Sequence, residues 1–94
     1  MPSLLRLRGQ IRHVVPTTVD EAGKRHGGFG FARCDGVIEG DLDPDQPSPI
    51  GVDHFTHLRD TGASSIEQMV GKRVSFVPVA HPKGPRATEV EVLE

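Results

Sequence analysis

The sequence contains no tryptophan, no tyrosine and only one cysteine, and it lacks any long hydrophobic stretch. Cys34 alone cannot form an internal disulfide, which fits a reducing compartment. The uncharged apolar runs are only a few residues long, which argues against a membrane-spanning helix. Arg6 and Arg8 interrupt the only candidate core of a signal peptide, Leu4 to Leu7. We therefore expect a cytoplasmic protein with no membrane partner.

Glycine and proline, in contrast, are abundant. The 11 glycines and 8 prolines together occupy 19 of the 94 positions. This share argues against a helical bundle and favours short strands joined by turns. A chain of 94 residues is long enough for one small core, so we expect a single domain over residues 1–94.

Charge is divided unevenly along the chain. The formal net charge is −2, but residues 35–53 carry six acidic side chains and neither lysine nor arginine. The rest of the chain has 11 basic and 7 acidic residues, a balance of +4. A basic face can therefore coexist with one acidic loop. Ordinary solvated surface charge explains the same numbers, so charge alone does not identify a partner.

Hydrophobic patterning predicts five short strands. They cover residues 4–15, 28–32, 52–58, 73–79 and 87–93. Long loops are expected over 16–27 and 33–51, and one capped helical turn over 66–70. Pro78 should place its strand at a sheet edge, and Thr88, Val90 and Val92 should share the buried face of the last strand. This pattern predicts an all-β fold in which five strands form a small closed or nearly closed barrel.

Two of these strands carry ring side chains at alternate positions. Phe29 and Phe31 point to one side, and Phe55 and His57 share a face of the next strand. The glycines at 28 and 30 carry no Cβ, which lets another element approach from behind. If the strands pair, four flat rings form one patch on which bases of single-stranded nucleic acid can stack. The alternative is that the phenylalanines build the core, where this residue type is usually found.

The sequence gives little support for a metal site or a catalytic site. His54 and His57 are three residues apart, so in a strand they face opposite sides and cannot bind one metal ion together. The spacing of Asp41, Asp43 and Asp45 is similar to the start of a calcium loop, but Pro44 lies inside it and no helices flank it. No catalytic nucleophile motif or phosphate-binding loop is present in the sequence. We expect no metal, no cofactor and no enzymatic activity.

Four ordered segments resemble the bacterial cold-shock domain family. Residues 28–31 (Gly-Phe-Gly-Phe) and 53–57 (Asp-His-Phe-Thr-His) are similar to its two nucleic-acid-binding motifs. Residues 71–76 and 83–90 are similar to its fourth strand and to the entry to its fifth. The resemblance implies an OB-fold that binds single-stranded RNA or DNA and acts as an RNA chaperone in transcription or translation. It puts Phe29, Phe31, Phe55 and His57 at stacking positions, and Lys83 and Arg12 at basic contacts.

The chain departs from the family pattern at several points. His13 stands where the family has tryptophan, and Gly27 where it has lysine, although Lys24 and Arg25 lie just upstream. Both long loops exceed the family's usual lengths. We expect weaker binding than in a typical member, with stacking extended by His13 and phosphates held by the cations. These cations are Arg12, Lys24, Arg25 and Lys83.

Two questions stay open at the level of the sequence. The acidic segment 35–53 should repel phosphate if it folds over the binding face. A weak homodimer is compatible with the sequence. The alternative function is an OB-fold module for protein–protein contact that has lost most nucleic-acid binding.

Overall fold

A computed structural model describes residues 5–93. The elements follow one another along the chain as strands, a short helix, a 3-10 turn and two further strands. They are β1 (Arg6–Val15), β2 (Thr18–Val19), β3 (Arg25–His26), β4 (Phe29–Glu39), β5 (Asp53–His57), α1 (Leu58–Thr61), a 3-10 helix (Ile66–Met69), β6 (Arg73–Val79) and β7 (Arg86–Val92). No helix within residues 5–93 has the length and apolarity needed to cross a bilayer.

Five of the strands form one sheet that closes on itself. Their order is β1-β4-β5-β7-β6, and β6 returns to pair with β1. All neighbouring pairs are antiparallel except β5 and β7, which pair in parallel at Phe55 and Arg86. The predicted all-β, five-stranded OB-type fold is confirmed.

The interior is filled by small and medium-sized apolar side chains. Phe76 is the only one of the four phenylalanines in the core. In β1 the buried positions alternate, with Leu7 and Ile11 fully enclosed on either side of Gly9. The other buried hydrophobic residues are Ala32, Cys34, Ile66, Met69, Val74, Ala87 and Val90. The remaining three phenylalanines are therefore available for a surface role.

Both predicted long loops contain structure that the sequence did not suggest. Within 16–27, β2 and β3 pair through Thr18 with His26 and Val19 with Arg25. Within 33–51, β4 continues to Glu39, because its pairing with β1 runs on as far as Arg6. The helix at Leu58–Thr61 was also not predicted, whereas the turn expected at 66–70 is a 3-10 helix.

One irregular residue interrupts the alternation of buried and exposed side chains in β7. Glu89 has a φ of 48°, and the β6–β7 register shifts between Ser75 and Val77. The expected burial of Thr88, Val90 and Val92 on one face is therefore wrong: Ala87 and Val90 are the buried residues on either side of Glu89. Val92, at the end of β7, is exposed. Among the described residues, the pairing of β6 with β1 ends at Phe76, so only β7 pairs with β6 at Pro78, as at a sheet edge.

Candidate functional site

The pairing of β4 with β5 brings three phenyl rings together on the outer surface of the sheet. Phe31 lies opposite Phe55, and Phe29 lies opposite His57. The Phe29 and Phe55 ring centroids are 5.2 Å apart, those of Phe31 and Phe55 5.9 Å, and those of Phe29 and Phe31 6.1 Å. All three rings are partly exposed and lie outside the core. We call these rings, with those of His13 and His57, the aromatic patch.

The opposite faces of the same strands explain why the rings point outward. His54 and Thr56 flank Phe55 and are buried, so β5 has one inner and one outer face. Gly30 lies between Phe29 and Phe31, and a Cβ there would come within 2.9 Å of the His13 carbonyl oxygen. Glycine at this position therefore allows β1 and β4 to pack closely behind the two rings.

His13 joins the patch because β1 contains an extra residue. The register passes from Ile11 opposite Ala32 to His13 opposite Phe31, so Arg12 has no partner in the ladder. The imidazole of His13 stacks on Phe31 with ring centroids 6.4 Å apart and an interplanar angle of 23°. Arg12 and His13 are both exposed.

His57 is held at the other end of the patch by the helix that follows it. The ring Nδ1 of His57 accepts a hydrogen bond from the Arg59 backbone N–H at 3.2 Å, and the backbone N–H of His57 donates to Asp60 Oδ2 at 3.2 Å. This reciprocal pair is a capping box in which histidine supplies the N-cap side chain. Asp60 Oδ2 also accepts from Arg86 Nη2 at 3.0 Å. The ring of His57 is therefore fixed in position before any ligand arrives.

Two clefts connect cations to the patch at Phe31. One, of about 420 Å³, is lined by Arg12, His13, Phe31, Arg33 and Asp53. The other, of about 360 Å³, is lined by Phe31, Phe55, His81, Lys83, Gly84 and Arg86. The structure therefore brings two of the predicted cations, Arg12 and Lys83, next to the rings.

Arg33, His81 and Arg86 also border these clefts, and the sequence did not single them out. Alternation could have found Arg33, because it follows Phe29 and Phe31 on the same side of β4. Its Nε donates to Asp53 Oδ1 at 3.2 Å. Arg86 lies on β7, which β5 separates from β4, and it pairs with Asp60. Only the pairing of β5 with β7 brings it to the patch.

Lys24 and Arg25 lie outside both clefts, in the segment that contains β2 and β3. This segment joins the sheet beside the patch, since Gly28 N–H donates to the Val15 carbonyl at 2.8 Å and its carbonyl accepts from Leu58 N–H at 2.8 Å. Phe29 follows directly, so the segment that carries these two cations enters the sheet at the end of the patch formed by Phe29 and His57.

The acidic segment is directed mainly to another part of the molecule. Leu42 packs against the core, and Asp43 and Pro47 line a separate cavity of about 490 Å³ with His54 and Pro78. None of the rings of the aromatic patch lines that cavity. Among the six acids of the segment, Asp53 alone borders a cleft at the patch. The acidic segment therefore lines mainly a cavity away from the rings, and Asp53 brings one carboxylate to the patch.

Two buried titratable groups lie beneath the patch rather than in it. Burial lowers the pKa of His54 below the ordinary value of 6.5, and its ring contacts Phe76 at a centroid distance of 5.1 Å. Burial raises the pKa of the Cys34 thiol. His54 and His57 face opposite sides of β5, and within residues 5–93 no three His, Cys, Asp or Glu side chains converge on a metal position.

Comparison with known proteins gives one consistent relationship. The chain is similar to the cold shock-like protein CspA of Bordetella pertussis, Bordetella bronchiseptica and Bordetella parapertussis, with 42% identity over 40 residues in each case. The match covers 43% of this chain and 57% of each relative, so it spans little more than half the length of the curated relatives. No family model and no solved structure matches the chain. These partial matches and the five-stranded fold agree with the resemblance noted in the sequence.

Proposed function

We propose that this protein is a non-enzymatic, cytoplasmic cold-shock-like protein that binds single-stranded nucleic acid. The observation that carries the proposal is the cluster of Phe29, Phe31 and Phe55, partly exposed on the outer face of β4 and β5. A phenyl face accepts any base, and each base–aromatic stack contributes about 1–3 kcal/mol. The similarity to cold shock-like proteins supports the same function.

The cations around the patch complete the proposed mechanism. Lys83 and Arg12 border the two clefts at Phe31, where they can hold phosphates of a strand whose bases stack on the rings. Lys24 and Arg25 contribute charge at the Phe29 end. Strand binding of this kind keeps RNA unpaired without consuming ATP, which is an RNA-chaperone role in transcription or translation.

The function is tested by titrating a fluorescent oligo-T or oligo-U at low and moderate salt. Phe29→Ala and Phe55→Ala should each weaken binding by about 5- to 150-fold, the equivalent of about 1–3 kcal/mol. Val92→Ala is the matched control, because this exposed apolar side chain lies on β7 outside the aromatic patch. No binding at low salt would refute the proposal and favour the protein–protein contact module.

We also propose a weak homodimer as a secondary property. Analytical ultracentrifugation over a range of concentrations, with and without the oligonucleotide, tests it directly. A sedimentation coefficient independent of concentration would refute it without affecting the nucleic-acid proposal.

A further inference from the structure

Residues 16–27 form a projecting arm that contributes nothing to the core. β2 and β3 pair within it, and residues 16–26 are all exposed. Five residues lead outward from Pro16 to Asp20, which at about 3.3 Å per residue corresponds to a reach of about 15 Å. A segment of this length without buried side chains has no evident role in stability.

The tip of the arm is nevertheless ordered by its own hydrogen bonds. Asp20 Oδ1 accepts from the backbone N–H groups of Ala22 and Lys24, both at 2.9 Å. Asp20 Oδ2 lies 2.8 Å from His26 Nε2. An aspartate that closes a turn in this way reduces the conformational freedom of the chain around it. Lys24 and Arg25 therefore follow a fixed turn rather than a free loop.

The root of the arm is also fixed. Gly27 and Gly28 both have positive φ, at 80° and 75°. A Cβ at Gly28 would come within 2.7 Å of Thr17 Oγ1, and one at Gly27 would clash with the Pro16 carbonyl. Arg25 is four residues before Phe29, so its backbone lies within about 14 Å of that residue. The arm therefore keeps the backbone of Arg25 within this distance of the end of the aromatic patch formed by Phe29 and His57.

The charges of the arm are arranged so that two cations stay available. Among the described residues, neither Lys24 nor Arg25 makes an ion pair, whereas Asp20 is engaged by His26. Glu21 lies at the tip, Lys24 directly before β3 and Arg25 in β3. Lys83 borders a cleft beside Phe31 and Phe55. Lys83 thus lies at one end of the row of rings, and the arm that carries Lys24 and Arg25 joins the sheet at the other end.

We propose that the arm binds the phosphates of nucleotides that leave the aromatic patch at its Phe29–His57 end, so that the binding site is longer than the patch. This inference rests on the proposed function and adds a second, separable contact region. Bases on the patch bind by stacking, whereas the arm binds the backbone by charge and does not read sequence. The ligand is a single strand long enough to extend past the last ring.

Oligonucleotide length and salt dependence together test the arm. For wild type and Lys24→Ala/Arg25→Ala, the affinity for oligo-T of about four and about ten nucleotides is measured across a salt series. With the longer strand, the negative slope of log K against log salt should be shallower by about 1.4 in the double variant, since two contacts contribute about 0.7 each. With the shorter strand, the slope should not change. Lys72→Ala/Arg73→Ala removes the same pair of residues at the start of β6 and should change neither slope.

The outcomes separate this proposal from the proposed function. An unchanged slope with the longer strand, or an equal loss with both strands, would refute the arm while binding to the patch persists. Failure of wild type to bind either strand would refute both proposals. Both Lys24 and Arg25 are exposed, and only the backbone of Lys24 is used in the turn, so the variant should fold, which circular dichroism verifies.

Asp20→Ala tests the ordering of the arm independently of its cations. The substitution removes a negative charge, which on electrostatics alone should tighten binding of nucleic acid. It also removes the acceptor of two backbone hydrogen bonds at the turn. The proposal expects weaker binding of the longer strand only. Tighter binding of the longer strand would refute the role of an ordered arm.

Discussion

The imidazole of His13 lies almost parallel to the phenyl ring of Phe31, at a centroid distance of 6.4 Å and an interplanar angle of 23°. The contact depends on the extra residue Arg12, which shifts the β1–β4 register so that His13 lies opposite Phe31. A ring at position 13 therefore enlarges the aromatic patch across a third strand, and its size should affect affinity.

Replacement of His13 by a larger aromatic side chain should strengthen binding. His13→Trp offers a wider π-face beside Phe31, and we expect several-fold tighter binding of oligo-T, whereas His13→Ala should weaken binding by a similar factor. Fluorescence anisotropy with labelled oligo-T measures both. Equal affinity of the two variants would show that no base reaches position 13. The exposed site should tolerate either side chain, which thermal unfolding checks.

Removal of the carboxylate at Asp53 should also strengthen binding. Asp53 lies in the cleft with Arg12 and Phe31, where it pairs with Arg33. Asp53→Asn removes a negative charge and releases Arg33 for a phosphate, so the affinity should rise several-fold. The slope of log K against log salt should become steeper by about 0.7. Asp43→Asn, with the same charge change in the separate cavity, is the control and should have a smaller effect. Equal effects of the two variants would indicate a response to net charge only.

The hydroxyl of Thr56 offers a route to higher stability. Thr56 is fully buried, and its Oγ1 has no hydrogen-bond partner among the described residues. Thr56→Val keeps the shape of the side chain and removes the cost of the unpaired hydroxyl, so the free energy of unfolding should rise by about 1 kcal/mol. Urea denaturation measures the change.

Thr88→Val provides the matched comparison in the same experiment. Thr88 Oγ1 donates to the Val77 carbonyl at 3.0 Å, so this variant loses a hydrogen bond and should be less stable by about 1 kcal/mol. If Thr56→Val is destabilised as much as Thr88→Val, the Thr56 hydroxyl forms a hydrogen bond in the folded protein, which would contradict this prediction. Nucleic-acid binding should not change in Thr56→Val, since the side chain faces inward.

The buried imidazole of His54 predicts a loss of stability in mild acid. Burial lowers the pKa of His54 in the folded state below the unfolded value of 6.5. As the pH falls below about 6.5, the unfolded chain takes up a proton that the folded state resists, so the free energy of unfolding decreases until the pH reaches the folded pKa. Above the unfolded pKa this contribution does not vary with pH.

Thermal unfolding between about pH 5 and pH 7.5 checks the sign and the origin of this effect. His54→Gln should show a smaller decrease in stability with falling pH than wild type, whatever its stability at neutral pH. His81→Gln replaces an exposed histidine and should keep the wild-type dependence. An unchanged pH dependence in His54→Gln would contradict the assignment to this residue.

Much of the fold could be predicted because it follows from local alternation. The pairs Phe29 with Phe31 and Phe55 with His57 share faces by strand geometry alone. The outer position of Phe55 agrees with the burial of His54 and Thr56 on either side of it. The arm and the end of β4 were missed because glycine, proline and acidic residues indicate loops, whereas the Asp20 turn and the β1 ladder stabilise strands there. The irregular residue Glu89 was missed for a similar reason, and it places Ala87 rather than Thr88 among the buried residues.

The sequence by itself determined that the chain forms a five-stranded sheet with an alternating row of rings, because side-chain alternation and turn residues act over a few neighbouring positions. Tertiary structure alone brought Arg86 to those rings. Arg86 borders a cleft with Phe31 from β7, and the acidic segment lines a separate cavity with His54 instead. Such distances depend on strand register, bulges and closure of the sheet, which arise only when segments far apart in the chain pack together.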